Sequence, residues 1–436
     1  MNAVVVAVLI MIALSLLRLN VVLALFIGAL SGGLVAGMQY SEVISVFTDG
    51  ITGGAEIALS YALLGGFAAL IAYSGITEVL VQFIIRALKK EESQKARVIA
   101  KVSIIAALLM VSIMSQNVIP IHIAFIPILI PPLLSLMNEL GFDRRLLAIV
   151  LTFGLTFPYV LFPIGFGQIF QNTIVNGFES AGVEITFGQV APALVIPASG
   201  FVVGLALALF YYRKHRTYET KDSGPVNETE ANFGTIIIAL VAIIATFGVQ
   251  VLTDSMIFGA LAGIMIFFIS FQFKWKRLDN ELVSGIKMMA YIGIVMLAAN
   301  GFAGVISETG HVTPLVDGIA ETLAGNKILI VASMLLVGLI VTMGIGSSFA
   351  TIPIIASIFV PMGMELGLSL PAIIAIIGTA GALGDAGSPA SDSTLGPTAG
   401  LGADGQHDHI WDTCVPTFIF LNIPVLMAGF VAGIIL

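Results

Sequence analysis

The chain has 436 residues, of which 58% are hydrophobic and only 10% are charged, and its mean hydropathy is +1.07. This composition excludes an ordinary soluble domain and predicts an all-α, polytopic membrane protein. The net charge of −8 is spread over loops and is not informative about nucleic acid, and we expect no nucleic-acid partner. The single cysteine, Cys414, excludes an internal disulfide.

Uncharged runs set the expected number of helices. Most of them are long enough to cross about 30 Å of hydrocarbon at about 1.5 Å per residue. The runs 102–138 and 328–364 are longer, and each has room for two crossings or a re-entrant hairpin. We therefore predict 12 to 14 helical segments. The runs are 1–17, 19–41, 57–77, 102–138, 146–178, 185–212, 231–253, 255–273, 288–307, 328–364, 366–384 and 413–436.

The basic residues predict the orientation of the chain. With the N-terminus outside and an even number of passes in each long run, all of the 18 Lys and Arg residues except Lys327 fall on one side. Basic loops of membrane proteins face the cytoplasm. We therefore expect a multi-pass protein of the cytoplasmic (inner) membrane with the polar linker 213–232 in the cytoplasm.

The two halves of the chain resemble each other at constant spacing. The segment Glu139-Leu140-Gly141 recurs as Glu365-Leu366-Gly367, 226 positions later, and Pro163 recurs as Pro389. Upstream, Gly66-Phe67-Ala68 recurs as Gly301-Phe302-Ala303, 235 positions later. By the same count of membrane crossings, equivalent segments of the two halves cross the membrane in opposite directions. We therefore predict two inverted-topology repeats with re-entrant hairpins or broken helices, an arrangement common in secondary transporters.

This repeat divides the chain into five predicted parts. We predict N-terminal helices in 1–41, a first inverted repeat in 42–212, the cytoplasmic linker in 213–232, connecting helices in 233–279, and a second inverted repeat, with a broken-helix motif and a terminal helix, in 280–436.

The motif lies in 378–412, which reads GTAGALGDAGSPASDSTLGPTAGLGADGQHDHIWD. Its glycines and prolines, among them Gly381, Gly384, Gly387, Gly396 and Pro397, predict an open backbone. Open backbone at membrane depth is tolerated only inside protein or beside a water-filled cavity, and a carboxylate there indicates function.

Oxygen-bearing side chains around this opening suit a small hard cation such as Na⁺. A carboxylate partly removed from water can also exchange H⁺ for a cation. The alternative is that the two aspartates only cap helix ends. The candidate residues of the second half are Asp385, Ser388, Ser391, Asp392, Ser393, Thr394, Gly346, Ser347 and Ser348, with Asp385 and Asp392 as Na⁺ ligands.

Weaker candidates lie elsewhere in the chain. The repeat alignment pairs the middle of the long run 328–364 with Ser115, Gln116 and Asn117 of the first half. It also pairs Asp385 with Tyr159, so the carboxylate is not duplicated. Asn300, in mid-span beside a glycine, is either a contact between helices or a ligand.

His407-Asp408-His409, near Asp404 and Asp412, superficially resembles a metal cluster. Ligands so close in sequence point in different directions on most backbones, which favours an interfacial loop. His407 or His409 remains a candidate pH sensor, because an unperturbed histidine titrates near about 6.5.

The sequence from Gly384 to Pro397, GDAGSPASDSTLGP, with the following GQHDHIWDTCVPTF, resembles the NhaC-type Na⁺/H⁺ antiporter family within the wider ion-transporter clan. It is most similar to the branch that contains predicted histidine and other amino-acid permeases. The resemblance implies an inverted-repeat transporter that works by alternating access, with cation or substrate binding at Asp385, Ser388, Asp392, Ser393 and Thr394.

We therefore expect an ion-coupled secondary transporter, not an enzyme, that moves a small amino acid such as histidine. The alternative is a dedicated Na⁺/H⁺ antiporter with no organic solute. The chain lacks GxxxxGK[ST] and a TVGYG-like filter, which argues against direct ATP drive and against a channel. The expected partners are the lipid bilayer and a small solute or ion, with a homodimer left open. No cofactor is expected besides Na⁺ or H⁺ as the coupling ion.

Overall fold

A computed structural model describes residues 2–17, 19–75, 94–117, 122–219, 233–253, 255–311, 314, 326–346 and 348–436. These residues form helices and no strand. Five of the described helices are long and apolar enough to cross a membrane, and eight shorter ones are apolar. The prediction of an all-α membrane protein is confirmed.

The described residues contain sixteen helices. They are α1 (Ala3–Leu16), α2 (Val21–Val35), α3 (Tyr40–Tyr73), α4 (Gln94–Asn117), α5 (His122–Glu139), α6 (Arg144–Leu161), α7 (Phe166–Ser180), α8 (Phe187–Tyr211), α9 (Phe233–Thr253), α10 (Met256–Ile269), α11 (Trp275–Glu308), α12 (Lys327–Ile345), α13 (Ser348–Glu365), α14 (Leu370–Ala382), α15 (Asp392–Leu401) and α16 (His409–Ile435). Within α16, His409–Cys414 and Phe418–Asn422 are wound as π-helix.

The described part of the chain alone contains two more helices than the largest predicted number, because two stretches divide differently. The run 146–178 is interrupted at 162–165, where Pro163 stands, and becomes α6 and α7. The glycine-rich stretch after Ala382, predicted to be open throughout, winds into α15 from Asp392 onward.

Helices of the two halves begin at equivalent positions. The starts of α5 and α13, of α6 and α14, and of α7 and α15 are each 226 positions apart. Their packing is also reciprocal, because α5 packs on α15 while α13 packs on α7. This register agrees with the predicted repeat.

The long helices α3 and α11 pack against each other in opposite directions. Gly50 contacts the backbone at Asn300, and Gly65 contacts Gly285. Near the middle of the pair, Gly293 faces Ala58, a pair that is 235 positions apart. Equivalent helices that run antiparallel agree with an inverted repeat, whose orientation across a bilayer stays a prediction.

The centre of the protein is formed by α6 and α14, the helices that precede the two interruptions. In α14 every residue from Ala372 to Ala382 is buried, and α6 is 83% buried along its length. The helix α9, by contrast, is only 28% buried over its apolar window and presents an outer apolar face. The protein therefore surrounds two interrupted helices with lipid-compatible ones.

Candidate functional site

The interruption between α14 and α15 is the stretch 383–391. Gly387 has a φ of 79°, and a Cβ atom there would lie 2.7 Å from Cβ of Phe418. Glycine is therefore required at this turn for both its backbone conformation and its space. The helix resumes at Asp392 after Ser391, whose hydroxyl accepts a hydrogen bond from the backbone N–H of Ser393 at 3.2 Å.

Asp385 is buried in this interruption, with 8% of its surface exposed. Its Oδ2 atom accepts a hydrogen bond from Ser348 Oγ at 2.7 Å and a short one from the Tyr159 hydroxyl. Among the described residues, no Lys or Arg forms an ion pair with it. A buried carboxylate without a fixed cation requires a proton or a metal ion to become neutral.

The two residues that bind Asp385 come from different halves of the chain. Tyr159 lies near the end of α6 and Ser348 begins α13. Tyr159 and Asp385 are 226 positions apart, so each occupies the equivalent position of the other in the predicted repeat. Tyr159 was not predicted as a site residue. The repeat alignment nevertheless pairs it with Asp385, which was predicted, and that pairing is the signal that could have identified it.

The hairpin formed by α12 and α13 places its tip against the interruption. Gly346 ends α12 with a φ of 71°, and a Cβ atom there would lie 3.2 Å from Cβ of Ala390. Ser388 donates to the carbonyl of Met343, also in α12, at 3.2 Å. The predicted candidates Gly346, Ser348 and Ser388 are thus brought together, and Ser347 lies outside the described residues.

Several candidate hydroxyls hold the backbone in place. Thr394 Oγ1 lies 2.6 Å from the carbonyl of Ser388 and 2.9 Å from that of Ser391. The carbonyl of Ser393 accepts a hydrogen bond from Thr152 of α6 at 2.9 Å. Because these groups already have partners within the protein, they shape the opening in this conformation.

Asp392 lies in the first turn of α15 and is half-buried. The helix dipole favours a negative charge at this position. The like charge of Asp392 also opposes the charge of Asp385. Two carboxylates that share a site favour one bound proton or cation between them.

The remaining candidates are not part of this cluster as described. Ser115, Gln116 and Asn117 form the last turn of α4, and their side chains lie outside the described part of the structure. Asn300 lies in α11, where its backbone carbonyl packs against Gly50 of α3.

Two buried amides cap the interrupted helices and were not predicted as site residues. Asn422 donates to the carbonyls of Leu383 and Ala386 at 2.8 and 2.5 Å, on either side of Asp385. Gln171 donates to the carbonyl of Leu161, at the end of α6, at 3.2 Å. In each amide the side-chain oxygen is buried without a hydrogen-bond partner among the described residues. Asn422 is the one amide in the apolar run 413–436, which is the signal that could have identified it.

Charged residues meet on one face of the protein. Arg144 binds both carboxylate oxygens of Asp404, each at 2.6 Å, and Arg216 lies 3.2 Å from Asp412. Burial opposes the charge on Asp404, but the hydrogen bonds and positive charge of Arg144 hold its pKa below the usual value. These contacts join the start of α6, the segment after α8 and the loop after α15, which agrees with the prediction that the first two lie on one side of the membrane.

Two cavities lie beside the start of α16. The larger, about 390 Å³, lies between the α1–α2 turn and the segment that contains His407 and His409. The smaller, about 280 Å³, is lined by Gly387 and Pro389 of the interruption. Ser15 and Ile410 line both cavities, so the two adjoin each other.

The chain is similar to known protein families and to individual proteins. Residues 150–431 match a family described as the "Na+/H+ antiporter family", and residues 2–88 match a second described as the "Na+-H+ antiporter family". A "Putative amino acid transporter YuiF" of Bacillus subtilis is 51% identical over 442 residues, covering 100% of both chains. An uncharacterized membrane protein of Vibrio parahaemolyticus is likewise 51% identical over 441 residues, with 100% of both chains covered.

Two further similarities are more distant. The "Na(+)/H(+) antiporter NhaC" of Alkalihalophilus pseudofirmus is 32% identical over 166 residues, which cover 36% of this chain and 34% of that one. The solved structure of the YdaH transporter of Alcanivorax borkumensis is 13% identical, covers 90% of this chain and 87% of its own, and has a TM-score of 0.42. The predicted resemblance is confirmed: this chain belongs to the Na⁺/H⁺ antiporter family of ion-coupled membrane transporters.

Proposed function

We propose that this protein is a secondary active transporter that couples a Na⁺ or H⁺ gradient to the movement of a small amino acid, with histidine as the first solute to test. Two observations support the proposal. The relative named as an amino acid transporter matches over the full length of both chains. The buried Asp385, with hydroxyl partners and no ion pair in the described part of the chain, is the observation that carries ion coupling.

The geometry around Asp385 suggests how an ion would be held. The hydroxyls of Tyr159 and Ser348 now donate to the carboxylate, but a hydroxyl oxygen also accepts or coordinates when its proton rotates away. Na⁺ between Asp385 and Asp392 would draw on these oxygens and on backbone carbonyls of the interruption. A proton on Asp385 would neutralise the same charge, so the two ions compete for one site.

Alternating access then follows from the binding of that ion. When the charge of Asp385 is neutralised, the hairpin tip at Gly346 can separate from the interruption without leaving a bare carboxylate in an apolar interior. When the site is empty and Asp385 is ionised, its hydrogen bond with Ser348 favours the state in which the hairpin contacts the interruption. The ion would thus control whether the two halves move past each other.

Transport by purified protein in liposomes tests this proposal. An inward Na⁺ gradient is imposed, and uptake of labelled amino acids that include histidine is followed. Accumulation of one of them above its external concentration, and its loss in Asp392→Asn, supports an amino-acid symporter with this site. Equal uptake with and without the gradient would contradict ion coupling.

A dedicated Na⁺/H⁺ antiporter is the second candidate, favoured by the description of the matched family. In that case no labelled amino acid enters, while an interior pH dye responds to added Na⁺. Thermal stability separates the two candidates independently. A bound solute stabilises the folded protein by RT ln(1 + [L]/Kd), so a Na⁺-dependent rise in Tm with one amino acid supports the symporter.

A further inference from the structure

Polar side chains of α16 bind the backbone of the interruption that holds Asp385. His409 Nε2 lies 2.9 Å from the carbonyl of Pro389, and Cys414 Sγ lies 3.8 Å from the carbonyl of Ser388. A carbonyl oxygen only accepts hydrogen bonds, so the imidazole N–H and the weaker thiol donor both belong to α16. The end of the interruption is therefore held by the start of α16.

Two further residues of α16 continue this row of contacts toward Asp385. Thr417 Oγ1 accepts a hydrogen bond from the backbone N–H of Gly387 at 3.1 Å. The side-chain amide of Asn422 donates to one carbonyl on each side of Asp385, at 2.8 and 2.5 Å. The carboxylate at the centre of the candidate site is thus carried by a backbone segment that α16 binds at both of its ends.

The two segments run in opposite directions along each other. From His409 to Asn422 the chain ascends along α16, while the groups that it binds descend from Pro389 through Gly387 to Leu383. The approach is close, because a Cβ atom on Gly387 would lie 2.7 Å from Cβ of Phe418. Each contact is made to the backbone, so the row determines the conformation of the interruption itself.

The π-helical turns of α16 explain how these side chains come to share one face. His409 and Cys414 are five residues apart, and so are Thr417 and Asn422. The first pair bounds the π-helical segment His409–Cys414, and the second spans the segment Phe418–Asn422. Hydrogen bonds in a π-helix join residues five apart, which brings each pair to successive turns on the same side of the helix.

A regular α-helix would not align the same four residues. At about 3.6 residues per turn, positions five apart differ by about 140° around the axis, and the four residues would spread over about 220°. Between the π-helical segments, Val415–Thr417 is α-helical, and there Cys414 and Thr417 are three residues apart, which is a same-face spacing in an α-helix. The winding of α16 changes where the spacing of its polar residues requires it.

We propose that the two π-helical turns of α16 are a positioning device for the transport site. They direct His409, Cys414, Thr417 and Asn422 onto one backbone segment, and they thereby hold Asp385 in the geometry in which it binds the coupling ion. This inference rests on the proposed function, because it names the residues that position the site which that function uses. The four residues act through the backbone and are positioning residues, not ligands of the ion.

A positioning role has a specific effect on ion binding. When a contact of the row is lost, the interruption spends less of its time in the conformation that binds the ion. The apparent affinity for the ion falls in proportion to that fraction. A saturating ion concentration restores the conformation, so the maximal rate of transport is kept.

The test uses Thr417→Val and Asn422→Leu, which preserve the approximate size of the side chain and remove its hydrogen bonds to the interruption. In liposomes, exchange of labelled Na⁺ is measured at varied Na⁺, and uptake of the labelled amino acid that the wild type takes up is measured at varied Na⁺ and external pH. We expect the ion concentration that gives half-maximal flux to rise about tenfold in each variant. We expect the maximal flux to stay within about twofold.

Matched variants separate positioning from packing. Thr417→Ser keeps the hydroxyl and should keep the ion affinity of the wild type. Thr417 also donates to the carbonyl four residues earlier in its own helix, and Thr246 of α9 makes the same kind of bond to Ala242. Thr246→Val therefore removes an equivalent buried hydroxyl away from the interruption, and it should leave the half-maximal ion concentration unchanged.

Three results would overturn the proposal. The first is an unchanged half-maximal ion concentration in both Thr417→Val and Asn422→Leu. The second is a lower maximal flux at an unchanged half-maximal concentration, which indicates loss of folded protein. The third is a serine variant that behaves like the valine variant, which would assign the effect to packing of the side chain.

The wild-type protein separates failure of this inference from failure of the proposed function. A wild type that carries an ion, with variants that bind this ion equally well, would overturn the positioning role and leave the transporter intact. A wild-type protein that moves no ion and no solute would contradict the proposed function itself.

Discussion

At the scale of single residues, the carboxylate of Asp385 is distinguished by what binds it. Its partners Tyr159 and Ser348 supply hydroxyl donors, and in the described residues neither a lysine nor an arginine pairs with it. Hydrogen bonds reduce the desolvation free energy of a buried charge but do not offset it fully. The residue is therefore suited to binding and releasing an ion rather than to fixing the fold.

Asp385→Asn should abolish ion-coupled transport while the protein still folds. The amide fills the same space but carries no charge for Na⁺ and no site for H⁺. We expect uptake in liposomes to fall at least about tenfold, and the Tm to stay within a few degrees because no ion pair is broken. Asp49→Asn, at an exposed carboxylate of α3, is the matched control. Normal uptake by both Asp385→Asn and Asp392→Asn would contradict the site.

Tyr159→Phe tests one hydrogen bond of that site. The Tyr159 oxygen is proposed to coordinate Na⁺, and loss of one such contact with a charged group costs about 1.5 to 3 kcal/mol, which corresponds to about a tenfold to hundredfold weaker Na⁺ affinity. The concentration of Na⁺ that gives half-maximal uptake measures the change. An unchanged Na⁺ requirement would show that Tyr159 packs beside the site without contributing to it.

The sequence predicted the charged residues of the site, but it did not predict all of its uncharged ones. Asp385, Ser388 and Asp392 stand out because polar residues are rare in such a chain. Asn422 caps two carbonyls from another helix, and no spacing in the sequence relates it to them. Its contribution depends on a contact that only the folded chain creates.

At the scale of elements, the interrupted helix shows how distant partners decide where a helix resumes. Gly396 and Pro397 were expected to keep the backbone open, yet both lie inside α15. Proline cannot donate to the carbonyl of Ser393, and that carbonyl is satisfied by Thr152 of α6 instead. The low helix propensity of glycine and proline is therefore offset by a hydrogen bond from the other half of the chain.

Gly387→Ala should disturb this interruption more than the same change elsewhere. Gly387 and Gly405 have similar positive φ angles of 79° and 74°, but only Gly387 has an atom within 4 Å of an added Cβ. Backbone strain of about 1 to 2 kcal/mol is common to both changes, and the contact with Phe418 adds to it at Gly387 alone. Thermal unfolding should show a lower Tm for Gly387→Ala than for Gly405→Ala. Equal values would mean that Phe418 can move aside.

The ion pair of Arg144 and Asp404 joins the start of α6 to the end of α15. Asp404→Asn leaves the buried guanidinium without its counter-charge, and we expect a loss of about 3 kcal/mol in the free energy of unfolding. Because the pKa of Asp404 is held low, this stabilisation is complete above about pH 4 and is lost as the pH falls further. Chemical unfolding at pH 7 and at lower pH measures both effects. Arg213→Gln, at an exposed arginine near the same face, should change little.

At the scale of the whole molecule, the charged face and the opposite face are joined by α16. His409 lies beside the interruption, while near the other end Lys327 donates to the carbonyl of Ile434. Lys327 is the basic residue that the sequence placed alone on the outside. The repeat and the sidedness are predictions from spacing and charge, whereas the positions of the cavities depend on side-chain geometry that neither spacing nor charge contains.

Single cysteines should report this sidedness. In a Cys414→Ser background, Lys214→Cys should react with a membrane-impermeant maleimide only from the cytoplasmic side, and Asn326→Cys only from outside. The reason is the excess of basic residues in cytoplasmic loops. Labelling of right-side-out and inverted vesicles makes the measurement, and the reversed pattern would invert the predicted topology.

The contact between Tyr159 and Asp385 has a consequence for how such a chain could arise by gene duplication and fusion. Immediately after a duplication the two repeats would be identical, so the same residue would stand on both sides of this contact. Two aspartates there would repel each other unless they shared a proton. If one copy changes to tyrosine, the repulsion between two carboxylates is replaced by a hydrogen bond from the Tyr159 hydroxyl to the Asp385 carboxylate. Loss of symmetry at this one contact is what would let a duplicated protein keep one exchangeable carboxylate there instead of two that repel each other.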